Sequence, residues 1–403
     1  MIAKSAKLGL YALPVVSFLA AAMCGSATAQ NKEEEVPFWA VGRPAEGPGA
    51  KLAPVPSPPI ATAADKLPTL SVPDGFKVEV FASGILDARG LREGDEGTIF
   101  VSTLFTGGGK IHAIRDGEVK EIATGLFLPN GIEFRDGALY VATPKEILRY
   151  DKIEASLDQP PEPVTVFDDL PGVIPHGWKF IMFGPDDKLY VPVGTPCNIC
   201  QEDADYAKIF RINADGSGKE DVALGVRNTV GFDFHPVTGN LWFTDNQRDW
   251  LSEDMPLDEL NRVTDPGKQH FGYPYCHSGI MTDPQFGWGK SCEDYVSPAA
   301  TLGPHSAPLG MRFYTGDAFP EQYKNAIFIA RHGPWNRSQK YADVSVAFLN
   351  DDGTVKKVEP FLTGFVADNI YLGRPADVMV MKDGSLLVSD DFNGAIYRVS
   401  YGG

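Results

Sequence analysis

The sequence predicts an all-β chain folded as a six-bladed β-propeller with four-stranded antiparallel blades. Three observations predict it. A turn-and-strand unit recurs six times, further short apolar stretches bring each unit to about four strands, and one strand at each end of the repeat region could pair to close a ring.

The elements follow in order. Residues 1–29 read as an export signal: Lys4 and Lys7 are basic, an apolar stretch runs from Leu8 to about Met23, and Ala27-Thr28-Ala29 offers a small-x-small cleavage site. A membrane anchor is disfavoured because the apolar core is short and contains Pro14. Lipidation at Cys24 is disfavoured because Met23 precedes it. Residues 30–66 are rich in Pro, Ala and Gly and read as an extended tail or linker, and residues 67–403 as the propeller.

The repeat is a turn carrying Asp, Gly or Asn followed by a short apolar strand. It appears as DEGTIFV (95–101), DGALYV (136–141), DDKLYV (186–191), TGNLWF (238–243), a weaker KNAIFI (324–329) and DGSLLV (383–388). The turn residues supply the positive-φ geometry of tight hairpins, and the β-branched and aromatic runs suit buried strands. Segments 111–115, 147–150, 208–212 and 395–399 supply further strands. The interval from about 240 to 325 is the longest and must hold long loops, where function usually sits on a rigid scaffold. Segment 76–81 alternates like an edge strand, and pairing it with 395–399 would remove an exposed edge.

The formal charge is -17, and it becomes -19 once Lys4 and Lys7 leave with the signal. Such a chain does not grip nucleic acid or an anionic membrane, and no other stretch suggests stable membrane insertion. It could attract a basic partner, such as a cationic redox carrier. Four cysteines remain after cleavage. Their spacing favours Cys197–Cys200 and Cys276–Cys292 disulfides, although four cysteines allow three pairings. A zinc site built with His277 is disfavoured because there is no second CxxC, and Gln201 after Cys200 excludes a haem attachment motif.

A propeller brings the loops flanking its strands together around a central channel, and three segments there carry chemistry. His176 stands just ahead of the third repeat and titrates near neutrality, so it can take a proton from a hydroxyl. Arg227 and Asn228 stand ahead of the fourth, where a forked guanidinium can bind carboxylates or quinone oxygens. The stretch 243–249 and then 257–261 offers carboxylates, an amide and loop carbonyls, a hard-oxygen set suited to Ca²⁺.

Taken together, RNTVGFDFHPVTGNLWFTDN (227–246), DELN (258–261), FGYPYC (271–276), HGWKFIMFGPDDKLYVPVG (176–194), GMRFYTG (310–316) and GRPADVMVMKDGSLLVSDD (373–391) resemble the soluble pyrroloquinoline quinone (PQQ) sugar dehydrogenases, with the sorbosone dehydrogenase branch the nearer match. The likeness runs from about residue 70 to the end. It implies PQQ across the channel mouth with a Ca²⁺ beside it, and hydride transfer from a sugar or sugar aldehyde to PQQ. His176 takes the place of the general base. Arg227 and Asn228 take the place of quinone-holding residues, with Arg227 also stabilising developing charge. Asn246 stands where a side chain contacts PQQ, Gln247 and Arg248 where two backbone carbonyls bind Ca²⁺, Asp258 at a cofactor-site acid, and Arg374 near the PQQ carboxylates.

The sequence departs from that pattern. Thr195 stands where the glucose-oxidising branch has an Asp that orients the base, and Ala376 where it has a second arginine. Its lysine has no clear match, with Arg331 or His332 in ARHGPWNRS (330–338) as replacements. His305 is a further pocket candidate. The chain carries no haem motif, so a separate cytochrome or quinone would accept the electrons. Export implies a periplasmic or secreted location.

Two other readings stay open. A Ca²⁺-dependent lactonase-type propeller would need oxygens such as those of Asn130, Asn228, Asn246 and Asp245 around one ion. A non-catalytic propeller could bind protein or glycan.

Overall fold

A computed structural model describes residues 36–54, 60–104, 108–201 and 204–402. The export-signal reading of residues 1–29 therefore lies outside the described residues.

Six four-stranded antiparallel sheets follow one another along the chain. The first runs Ala88–Glu93, Ile99–Thr103, Gly109–Arg115 and Glu118–Leu126, and the second Ile132–Arg135, Ala138–Ala142, Ile147–Tyr150 and Val164–Phe167. The third has Met182–Phe183, Leu189–Val193, Lys208–Ile212 and Glu220–Leu224. The fourth has Phe232–Phe234, Leu241–Asp245, Leu257–Arg262 and Ala300–Pro304. The fifth has Pro308–Phe313, Ile327–Arg331, Asp343–Leu349 and Val355–Leu362. The sixth joins Pro375–Val380, Leu386–Asp390 and Ala395–Tyr401 to Phe76–Ser83. The fold is the predicted six-bladed propeller.

Each sequence repeat is the second strand of a blade, and its side chains are buried on both faces except at Arg331. This explains the near-continuous apolar runs: blades pack against each other through both faces. The turns ahead use left-handed backbone as expected, at Gly97, Asp136, Gly137, Asp187, Gly239, Asn325 and Gly384. Ring closure is also as expected. Phe76 pairs with Tyr401, Val78 with Val399 and Ser83 with Ala395, so the first strand covers the last blade's edge.

Cores lie between blades. In the largest, Phe328, Phe361 and Tyr323 of the fifth blade pack near Val388, Tyr397 and Val399 of the sixth. Removing such a ring costs about 3–5 kcal/mol.

The long interval in the fourth blade leaves the sheet after Arg262 and returns at Ala300. It carries a two-stranded hairpin, Cys276–His277 with Met281–Thr282, and the Cys276–Cys292 disulfide. Cys197 and Cys200 form the second disulfide. Within the segment expected as a tail, Phe38–Ala40 and Pro48–Lys51 form 3₁₀ turns. Trp250 Nε1 donates to Trp39 O, and Asn198 Nδ2 donates to Val41 O at 2.7 Å, so this stretch lies on propeller loops. No helix among the described residues is long and apolar enough to cross a membrane.

Candidate active site

A cavity of about 400 Å³ opens where segments ahead of the first strands of the third, fourth, fifth and sixth blades meet segments after the second strands of the fourth and fifth, with Arg89 and Leu104 of the first blade. Of the predicted residues, His176, Arg227, Asn228, Asn246, Gln247, Asp258, His305, His332 and Arg374 line it. Seven stretches of chain separated by up to about 200 residues are thus brought to one mouth, which is what a ring of blades does.

His176 is presented by a loop and has a left-handed backbone, φ 52°. Its Nδ1 lies 2.9 Å from the Thr195 carbonyl and 3.1 Å from Thr195 Oγ1. A carbonyl only accepts, so Nδ1 carries the proton and Nε2 keeps its lone pair. The Thr195 position therefore does orient the imidazole, but chiefly through its backbone, which no side-chain comparison could reveal. Burial, then the Arg227 charge, hold the His176 pKa well below 6.5, against the opposing pull of the Thr195 carbonyl.

Arg227 is 2% exposed. Nε donates to Asn198 O at 2.9 Å, Nη1 to Asn246 O at 2.9 Å, and Nη2 to Asn198 Oδ1 at 3.0 Å and Asp249 Oδ2 at 3.2 Å. Four of its five guanidinium N–H groups are thus engaged, which leaves one on Nη1. The backbone N–H groups of Arg227 and Asn228 donate to the two Asp245 oxygens at 3.0 and 2.7 Å. Asn246 Nδ2 donates to Asn228 O and Pro308 O, both at 3.0 Å.

The DELN motif is a set of cross-braces. Asp258 accepts Gln247 N–H at 2.8 Å, Ala307 N–H at 2.8 Å and Ser306 Oγ–H at 3.1 Å, tying two loops to one strand. Burial pushes its pKa up to about 6 despite the nearby His305 and these donors. Glu259 accepts Ser278 N–H at 2.8 Å and Asn261 Nδ2–H at 2.9 Å, which docks the disulfide-bonded excursion.

The Gln247 and Arg248 backbone carbonyls accept no hydrogen bond among the described residues. Their side chains turn into the excursion. Gln247 Oε1 lies 2.9 Å from His277 Nδ1, His277 Nε2 lies 3.0 Å from Asp283 Oδ2, and Arg248 Nη1 donates to the same oxygen at 2.7 Å. Among the described residues no group of three or more His, Cys, Asp or Glu could hold a metal ion. Ca²⁺ at this place would rely on carbonyls and on the cofactor itself.

His332 and Arg331 separate as strand alternation dictates. His332 lines the cavity, whereas Arg331 does not: it pairs with Asp343 and donates to Leu302 O at 3.1 Å. Of the two residues offered as replacements, only His332 reaches the cavity, and Arg331 drops out of the pocket. Burial, then Arg374, lower the His332 pKa to about 4, against the pull of Asp391. Arg374 donates to His332 O at 3.0 Å and Gly333 O at 2.8 Å, and packs over Tyr371. His305 Nε2 donates to Ser252 O at 2.8 Å, so its Nδ1 is the acceptor that faces Asn336 Nδ2 at 3.3 Å.

Sequence reasoning missed several residues. Arg89 lines the cavity and donates to Asp391 at 2.6 Å and Asn130 at 3.2 Å. It stands ahead of the first repeat as Arg227 and Arg374 stand ahead of theirs, and that parallel was the available signal. Trp335, Asn336 and Asp249 also line the cavity, and Trp335 packs edge-on against Trp39 and Trp250. Asp249 lies in the 243–249 stretch and Trp335 and Asn336 lie in ARHGPWNRS, but nothing in either segment singles out these three.

The buried Oδ1 atoms of Asn228 and Asn336 have no hydrogen-bond partner among the described residues. A buried acceptor without a donor is costly and marks a place for a ligand. With guanidinium groups from Arg89, Arg227 and Arg374, the donor set suits an anionic molecule with several oxygens. The lactonase set is not assembled: Asn130 is engaged by Arg89 and by Lys179 O, and Asp245 by two backbone N–H groups, while only Asn228 and Asn246 line the cavity.

A protein of Borreliella burgdorferi is 34% identical over 352 residues, covering 83% of this chain and 91% of that one. Among solved structures, the PQQ domain of pyranose dehydrogenase from Coprinopsis cinerea superposes with a TM-score of 0.70 at 19% identity, covering 83% of this chain and 97% of that one. The PQQ-bound aldose sugar dehydrogenase of Streptomyces coelicolor gives 0.59 at 20% identity, covering 82% and 99%. These two share the propeller fold. The TrAA12-like family model matches residues 70–402, nearly the whole propeller, and the chain belongs to that family.

Proposed function

We propose that this chain is a PQQ-dependent oxidoreductase that oxidises a sugar or sugar aldehyde, with His176 as the general base. The observation that carries the reading is the pairing of a base with its lone pair fixed on Nε2 and a cavity wall of three arginines and two partnerless amide oxygens. PQQ is a tricarboxylate with an ortho-quinone, so it needs cationic forks and offers acceptors and donors to such a wall. The solved relatives named as pyranose and aldose sugar dehydrogenases, one of them with PQQ bound, support the cofactor and the substrate class.

Arg89, Arg227 and Arg374 would hold the cofactor, with Asn228, Asn246 and His332 at its edges and Asp258 fixing the loops around it. Gln247 and Arg248 would present their free carbonyls to Ca²⁺, a hard cation suited to oxygen ligands. Bound PQQ supplies a two-electron acceptor. The chain's own part is proton transfer and orientation: His176 Nε2 takes the hydroxyl proton while Nδ1–H stays on Thr195 O. The remaining Arg227 N–H would offer charge stabilisation beside it. A separate cytochrome or quinone would take the electrons, and the chain would work in the periplasm or outside the cell after cleavage near Ala29.

The test is titration of the Ca²⁺-loaded protein with PQQ, followed by an aldose panel. Stoichiometric binding and substrate-dependent reduction support the reading. Absence of PQQ binding would overturn it and favour a lactonase or a binding module.

A further inference from the structure

The CxxC pair has no role in the chemistry above, yet the loop it closes touches Arg227, and Thr195 just ahead of it touches His176. Asn198, between the two cysteines, is 1% exposed. Its backbone oxygen accepts Arg227 Nε–H at 2.9 Å, and its Oδ1 accepts Arg227 Nη2–H at 3.0 Å and Asp249 N–H at 2.7 Å. Its Nδ2 donates to Val41 O at 2.7 Å and Asp249 O at 3.2 Å. Exchanging the amide's oxygen and nitrogen would set donors against donors, so the network fixes its orientation.

Thr195, at the other end of the loop, holds His176 Nδ1 through its carbonyl at 2.9 Å. Its hydroxyl donates to Cys197 O at 3.0 Å, and its N–H donates to Arg227 O at 3.0 Å. Cys200 N–H is anchored on Tyr273 OH at 3.0 Å. One short loop therefore aims the imidazole with one end and grips the guanidinium with the middle. The Cys197–Cys200 bond closes the part of that loop that holds Asn198, and Thr195 is tied to it through Cys197 O.

We propose that the 195–200 loop is a positioning device for His176 and Arg227, with Asn198 as its positioning residue, and that the Cys197–Cys200 disulfide keeps it competent. Two electrons and two protons from an external dithiol convert this disulfide to two thiols, free Asn198 from its closed loop, and switch the site off while the propeller stays folded. The roles of His176 and Arg227 rest on the function proposed above; the geometry of the loop does not.

The test compares wild type with Asn198→Ala, which leaves the disulfide intact, and with the double variant Cys197→Ser/Cys200→Ser. Three readouts are taken: the PQQ dissociation constant with Ca²⁺ present, the His176 Nδ1–H resonance in histidine-¹⁵N-labelled protein without added cofactor, and the melting temperature. Both variants should bind PQQ about 10- to 100-fold more weakly, the range for losing a group that orients a site's ligands. The double variant should also lose or broaden the Nδ1–H resonance while retaining a cooperative melt. Dithiothreitol-treated wild type should match it. Unchanged PQQ affinity in Asn198→Ala together with an unchanged resonance in the double variant would overturn the proposal. If oxidised wild type fails to bind PQQ, the functional reading falls, and the resonance alone decides the positioning claim: its retention in the double variant overturns it.

Discussion

His332 Nε2 lies 2.9 Å and 3.0 Å from the two carboxylate oxygens of Asp391, and the same carboxylate takes Arg89 Nη1 at 2.6 Å. One buried anion thus fixes an imidazole and a guanidinium from different blades on the wall of one cavity. Nearby charges hold the Asp391 pKa well below the usual carboxylate range although its burial acts the other way.

Removing that anion should be severe. Asp391→Ala leaves Arg89 buried and uncompensated, a loss of about 3–5 kcal/mol for a broken buried pair. Urea unfolding at neutral pH measures it. A loss under about 1 kcal/mol would mean that the Arg89–Asp391 pair does not hold in solution.

His176 should titrate low. Burial and the Arg227 charge lower its folded pKa below 6.5, so its neutral form persists on mild acidification. Its contribution to stability is complete above the unfolded value and is lost as pH falls through the folded one. NMR titration of the protein without added cofactor should show no His176 protonation at pH 6.5. His176→Ala should abolish turnover and leave PQQ binding largely intact; full retained turnover would remove it from the mechanism.

Lys179 is buried, donates to Gly177 O at 3.0 Å, and has its pKa lowered by burial to about 7. A lysine depressed in the fold is a burden wherever it is charged, and the burden fades as pH rises from about 7 to its unfolded value of 10.5. Lys179→Met should therefore stabilise the protein below pH 7 and lose that advantage toward pH 10. Because the Lys179 charge helps to lower the His176 pKa, the same variant should move the His176 titration upward. A stability difference independent of pH would contradict a buried ammonium.

The excursion should control the 247–248 carbonyls from behind. His277→Leu removes the contact to Gln247 and one of the two partners of Asp283 Oδ2 while keeping the ring's approximate volume. Ca²⁺ affinity, followed by the calcium-dependent shift in melting temperature, should weaken about 10- to 100-fold. An unchanged shift would detach the excursion from the site.

Much of this was legible in the chain. The six turn-strand repeats marked the second strand of every blade, because those strands are buried on both faces and their turns demand left-handed backbone at Asp136, Gly239 and Gly384. The place of His176, Arg227, Asn228 and Arg374 ahead of first strands was enough to bring them to one cavity. The choice between Arg331 and His332 was not legible, since neighbouring residues at a strand end face opposite ways and the register alone decides which faces the channel.

The sequence by itself determined the ring, its blade count, the two local cysteine pairings as the favoured ones, and the face on which polar residues gather, because hydrophobic pattern and turn chemistry act over a few residues. Only the tertiary structure decided what holds the site. Thr195 acts through its carbonyl, Asn198 through an amide pinned between two loops, Asp391 through partners about 60 and 300 residues away, and Asp258 as a brace rather than an exposed acid. Those roles depend on which donors and acceptors are buried together, and that is fixed when the last strand closes on the first.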